Sequence, residues 1–168
     1  MKKTSTKIVY IVAHGGSSYK GVNRLFFLIS SDGYFGEDYV FSHKDGIPGT
    51  STNTSIHSIR ELGLTQTNHL KIVYITACNQ GKSDEMAREW IGDPDLVLDQ
   101  IFISFSGIIK ENFANWQLWD YQVWNQWCDG QTTWYEVFDY CSNPLHNPEG
   151  SQISAQVESY GYDQTKFN

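Results

Sequence analysis

Two runs in this chain are almost the same seven residues. Lys7-Ile8-Val9-Tyr10-Ile11-Val12-Ala13 leads into His14-Gly15-Gly16, and Lys71-Ile72-Val73-Tyr74-Ile75-Thr76-Ala77, 64 positions on, leads into Cys78-Asn79-Gln80-Gly81. Both runs are β-branched and aromatic, carry no helical period and are bounded by glycine, which is the pattern of short buried strands. One delivers an imidazole at its carboxyl end and the other a thiol. Reactive groups of open α/β sheets collect outside the carboxyl ends of the strands. Two such strands lying parallel and adjacent bring a nucleophile and a base to the same crevice.

Length and charge narrow the field further. The chain has 168 residues, 40% of them apolar and 15% aromatic, which suits one domain with a real core and argues against disorder. No apolar run is long enough to span a bilayer, so no membrane partner is expected. The basic Met1–Lys7 start meets His14 rather than a small-residue cleavage site, so it is read as mature protein. The formal charge of −7, with no Lys/Arg tract, makes nucleic acid a poor partner and leaves a basic peptide substrate compatible. Three cysteines, without close metal-ligand spacing, fit a reducing, cytoplasmic setting. Cys128 and Cys141 fall in aromatic helical segments and read as small buried hydrophobes. His43, His57, His69 and His146 show no ligand spacing and read as surface histidines, and no metal or organic cofactor is implied.

The elements alternate along the chain. Residues 25–29 and about 34–41, around Asp32-Gly33, read as a β-hairpin, and residues 42–55 as a polar loop. Ile56 to Leu62 carries apolar residues at helical spacing, with Gly63 placed to end a short helix. Ser83 is a candidate cap for a helix reaching about Trp90, with Asp84 and Glu85 in its first turn. Residues 101–105 form a third core strand, and residues 113–127 a helix. Thr133 and Glu136 are spaced as a capping box opening a last helix to about Cys141. The core therefore covers about residues 7–141 of a single domain, and residues 142–168 form a polar C-terminal segment without an assigned element.

The order of strand–Ala13-His14-Gly15, helix, then strand–Thr76-Ala77-Cys78-Asn79-Gln80-Gly81 resembles the caspase-like (clan CD) cysteine peptidases, a superfamily that includes legumains, gingipains, clostripain and CHAT domains. The resemblance covers roughly residues 7 to 110. It implies a three-layer α/β/α sandwich with a mostly parallel central sheet. Here that fold is trimmed at the N-terminus, because the family's preceding strand–helix units have no counterpart, and a β-hairpin is added at an edge of the sheet or over its mouth. It also implies peptide-bond hydrolysis through a Cys78 thioester with His14 as general acid and base. The backbone N–H groups of Gly15 and Cys78 would form the oxyanion site, and Asn79, Ser104 and Ser106 would border a substrate groove.

The residues themselves make that chemistry coherent. A thiol attacks as thiolate, which an imidazole within reach can generate by taking the proton. Glycine after the histidine lets a substrate carbonyl approach the backbone. A serine hydrolase is disfavoured, since Ile103-Ser104-Phe105-Ser106-Gly107 lacks the first glycine of a nucleophile elbow. The competing expectation is an inactive protein-binding module on the same scaffold. It would dock a partner or activator through a Trp/Tyr-rich surface drawn from residues 116–140, because six tryptophans are more than one small core would hide.

Overall fold

The computed structural model describes residues 7–12, 14–16, 26–30, 33–36, 40–42, 56–57, 70–109, 113–128 and 132–166, and between 14 and 57 it describes the backbone alone. The chain is α/β. Its core is an open, mixed sheet of four strands in the order β1-β7-β8-β9, made of β1 (Ile8–Val12), β7 (Ile72–Thr76), β8 (Ile101–Phe105) and β9 (Val157–Gly161). β1, β7 and β8 are parallel, and β9 runs antiparallel beside β8. Every residue of β7 and β8 is buried, as expected for central strands covered on both faces.

Alternation along these strands divides the core in two. On one face, Ile72, Tyr74, Ile101, Ile103 and Phe105 pack with residues of α2 (Phe113–Trp127), α3 (Trp134–Ser142) and α4 (Gly150–Ser154). On the other, Val9, Val73, Ile75 and Phe102 meet Met86, Ala87, Trp90 and Ile91 of α1 (Glu85–Ile91). This two-sided burial is why the strands read as continuous apolar runs.

Local chemistry sets the helix ends. Thr133 accepts from the Glu136 N–H while Glu136 accepts from the Thr133 N–H, so the capping box of α3 forms as its spacing predicts. α1 begins one residue later than expected. Asp84, not Ser83, is its N-cap, and the Ser83 hydroxyl instead donates to Glu85 Oε2 at 3.2 Å. Gly92, at φ +80°, closes α1 through its N–H to Arg88 O.

Three expectations are corrected. Phe26–Ser30 and Gly33–Gly36 do pair as a hairpin, but the returning strand expected to reach residue 41 is two strands, with Val40–Ser42 pairing antiparallel to Gly33–Phe35. All three belong to a second, five-stranded antiparallel sheet, β2-β3-β4-β5-β6. This sheet comprises β2 (His14–Gly16), β3 (Phe26–Ser30), β4 (Gly33–Gly36), β5 (Val40–Ser42) and β6 (Ile56–His57). Ile56 and His57, expected to open a helix, pair with Phe41 and Val40 instead, and the rest of that segment lies outside the described residues. The polar C-terminal segment holds α4 and β9, neither of which was expected. Gly161, at φ +106°, ends β9 where a Cβ would meet the Gln100 carbonyl oxygen at 2.5 Å.

Candidate active site

β7 ends at Thr76, and its continuation is held by backbone contacts to the carboxyl end of β8. Asn79 sits at φ +62°, a left-handed conformation that asparagine tolerates better than most residues. Its N–H donates to Gly107 O and the Gly81 N–H to Phe105 O, both at 2.9 Å. The Gln80 amide donates to Cys78 O at 2.9 Å, and the Tyr160 hydroxyl, from β9, to Gly81 O at 2.8 Å. A Cβ on Gly81 would lie 2.9 Å from Glu158 Cβ and 3.1–3.2 Å from the carbonyl carbons of Ser104 and Phe105, so the turn is pressed against the end of the sheet. Cys78 is half-buried, and its sulfur accepts the Ile109 N–H at 3.2 Å. The thiol is thus placed by backbone on both sides, from its own turn and from the segment after β8.

His14 is placed differently from expectation. β1 ends at Val12, and His14 opens β2, where it pairs with Leu28 while Gly15 pairs with Phe27. Between Val12 and His14 the chain leaves one sheet for the other, so the His14 strand and the Cys78 strand are not simply twins to their last residue. The imidazole of His14 lies outside the described residues. What is described is the register. Ile8 pairs with Ile72 and so on to Val12 with Thr76, the same 64-residue offset that aligns the two sequences. His14 and Cys78 each follow by two residues a pair of directly opposed positions.

The other expected site residues divide. Ser106 stays at the end of β8, its N–H and hydroxyl both bonded to Gln156 O, at 2.8 and 3.2 Å. Ser104 does not border a groove. It is fully buried and its hydroxyl donates to the Ile75 carbonyl at 2.7 Å, which satisfies a polar group inside the sheet. Cys141 is buried as expected, which pushes its thiol up to about 12, but Cys128 is exposed. The aromatic surface also fails in its original form. Five of the six tryptophans are at most 7% exposed, and Trp124 packs partly buried against the same core. The face covered by α2, α3 and α4 takes in five of the six, and among the described residues the exposed aromatics are tyrosines instead, among them Tyr10, Tyr121 and Tyr135. Of the histidines, His146 is exposed, lying flat on Tyr140. His43 and His69, and the side chain of His57, fall outside the described residues. Among the described residues no group of three or more His, Cys, Asp or Glu is disposed to hold a metal.

One polar cluster escaped the sequence reading. Tyr10 and Tyr74, the matching tyrosines of the twin strands, are opposite each other in the register and stack at 5.4 Å. Both donate to the same carboxylate, Asp120 of α2, at 2.8 and 2.5 Å, and the Thr76 hydroxyl donates to it at 3.1 Å. Burial raises the Asp120 carboxyl above its ordinary value, opposed by the three hydroxyl donors. Burial, and then the Asp120 charge, also raise both phenols. The cluster clamps β1, β7 and α2 together just before the residues that lead to His14 and Cys78. The available signal was a lone acid between Trp119 and Tyr121 in an apolar helix, which a sequence gives no means of pairing with residues 46 and 110 positions away.

No family model matches the chain, and neither the curated proteins nor the solved structures contain a match.

Proposed function

We propose that this chain is a cysteine peptidase-like hydrolase of caspase-like sandwich architecture, cutting peptide bonds through Cys78 with His14 as acid and base. The observation that carries the proposal is the parallel register of β1 and β7, in which the histidine and the cysteine occupy equivalent steps after opposed residues. In the reaction, His14 takes the Cys78 proton and the sulfur adds to the scissile carbonyl carbon. The tetrahedral oxyanion is held by the Gly15 and Cys78 N–H groups. The C–N bond breaks, the amine leaves with the proton from His14, and water then adds to the thioester to release the acid and restore the thiol. The turn after Cys78 supports this role because backbone, rather than a mobile side chain, fixes the sulfur.

Alkylation tests the proposal with internal references. Exposed Cys128 is the ordinary thiol and buried Cys141 the silent one. Mass-resolved labelling with iodoacetamide at neutral pH should modify Cys78 ahead of Cys128, although Cys78 is the less exposed, and His14→Ala should remove that lead. Cys78 trailing Cys128 in the unmutated protein would sink the proposal. That result would favour the second reading, an inactive binding module, for which exposed Tyr121 and Tyr135 speak.

A further inference from the structure

The buried face of α3 is Trp134, Val137 and Cys141, its outer face carries Tyr135, Glu136 and Asp139, with Tyr140 half-buried at its margin, and Asn143 caps its end. Between this face, the end of α2 and the turn at His146 lies an open cleft of about 480 Å³, within the range of small-ligand sites. Its walls are fixed before any ligand arrives. Glu136 Oε2 accepts from both the N–H and the hydroxyl of Thr133 at 2.8 Å. The His146 carbonyl accepts from the Gln122 amide of α2 at 2.6 Å, and the His146 N–H donates to Asn143 O at 3.0 Å. The imidazole of His146 stacks face to face on Tyr140 with ring centroids 3.9 Å apart and planes 8° from parallel, so Tyr140, packed against the core, backs the exposed His146 ring.

Among the described residues the lining has two carboxylates, aromatic rings and no lysine or arginine. That combination attracts a cation, and the donor geometry decides which kind. Glu136, Asp139 and His146 do not converge as a metal-ligand set, whereas a planar guanidinium both stacks on aromatic faces and bonds carboxylates in a fork. We propose that the cleft on α3 is a binding site for a guanidinium group, either the side chain of an arginine in a protein or peptide, or free arginine. Asp139 supplies the accepting carboxylate, and Tyr135 and the outer face of the His146 ring, backed by Tyr140, supply the stacking surface. The site shares no residue with the Cys78 turn and does not depend on the peptidase reading.

The test is an NMR titration of the full chain, following the ring resonances of His146 and the tyrosines. The probes are N-acetyl-arginine amide, free arginine and a blocked Gly-Gly-Arg-Gly-Gly peptide, with N-acetyl-citrulline amide as the neutral isostere. Saturable shifts are expected with the arginine probes and none with citrulline. Asp139→Asn should weaken binding about tenfold or more, as the loss of a charge-assisted contact does. Tyr135→Ala should weaken it a few-fold; both residues are exposed, so neither substitution threatens the fold. A pentapeptide that binds more tightly than free arginine identifies a protein-borne side chain, and the reverse order identifies the free molecule. Absence of saturation at tens of millimolar, an equal response to citrulline, or unchanged affinity in Asp139→Asn would overturn the proposal.

Discussion

β1 and β7 are nearly identical in sequence and unlike in circumstance. Each reads Ile-Val-Tyr-Ile, and they lie side by side in parallel. Yet β7 is buried at all five positions, whereas β1 keeps only Val9 buried and leaves Tyr10 42% exposed. Among the described residues β1 has a strand on one side only, while β7 is flanked by β1 and β8. Composition made both segments strands, and position in the sheet decided what each residue contributes.

Paired substitutions press on that contrast. Ile75→Ala, in the fully packed face against α1, should cost about 2–5 kcal/mol in urea unfolding, the range for emptying a core site. Its twin Ile11→Ala, partly buried, should cost less than half as much, and equal losses would show β1 to be covered as well as β7. Tyr74→Phe should cost about 1.5–3 kcal/mol, because it removes a donor from a buried carboxylate. Tyr10→Phe should cost under about 1 kcal/mol, since water can replace a half-exposed phenol.

The turn after β7 offers a narrower probe. Gly81→Ala must push against Glu158 of β9 and crowd the backbone of β8, and should cost about 1–3 kcal/mol by overpacking, with lowered Cys78 labelling as the local readout. The smallest effect is the pH dependence. The Tyr74 phenol is held above its ordinary value of 10.0, so the folded chain keeps a proton that the unfolded chain releases. That stabilisation is complete below pH 10 and is lost as pH rises through the folded value. The advantage of the unmutated protein over Tyr74→Phe should therefore shrink above pH 10. The raised Cys141 thiol has the same sign from pH 9 upward but is common to both proteins, so it cancels in the difference.

Much of the central sheet was legible because its signals are local. The runs at 8–12, 72–76 and 101–105 are β-branched and aromatic with only Thr76 and Ser104 as polar members, the residues of α2 repeat with a helical period, and Thr133 and Glu136 sit three apart. The strand β9 was not legible. Its Val-Glu-Ser-Tyr-Gly shows no alternation, because Val157 and Tyr160 serve opposite faces of the sheet, and five residues among polar neighbours resemble a loop. Ile56 and His57 were misread for the opposite reason. Apolar residues at helical spacing favoured a helix, and pairing with β5, a tertiary fact, overrode it. In the candidate site, Cys78 could be placed from its strand and glycine alone. The passage of His14 into a second sheet and the burial of Ser104 depend on neighbours far along the chain.

The division of the core into two faces also gives the protein an optical asymmetry. Five tryptophans lie with α2, α3 and α4, and Trp90 alone lies beneath α1. Emission from the whole chain is therefore dominated by one side of the sheet. The spectrum lost in Trp90→Phe reports the other side, so α1 could be watched lifting away while the larger face stays closed, without a label attached anywhere.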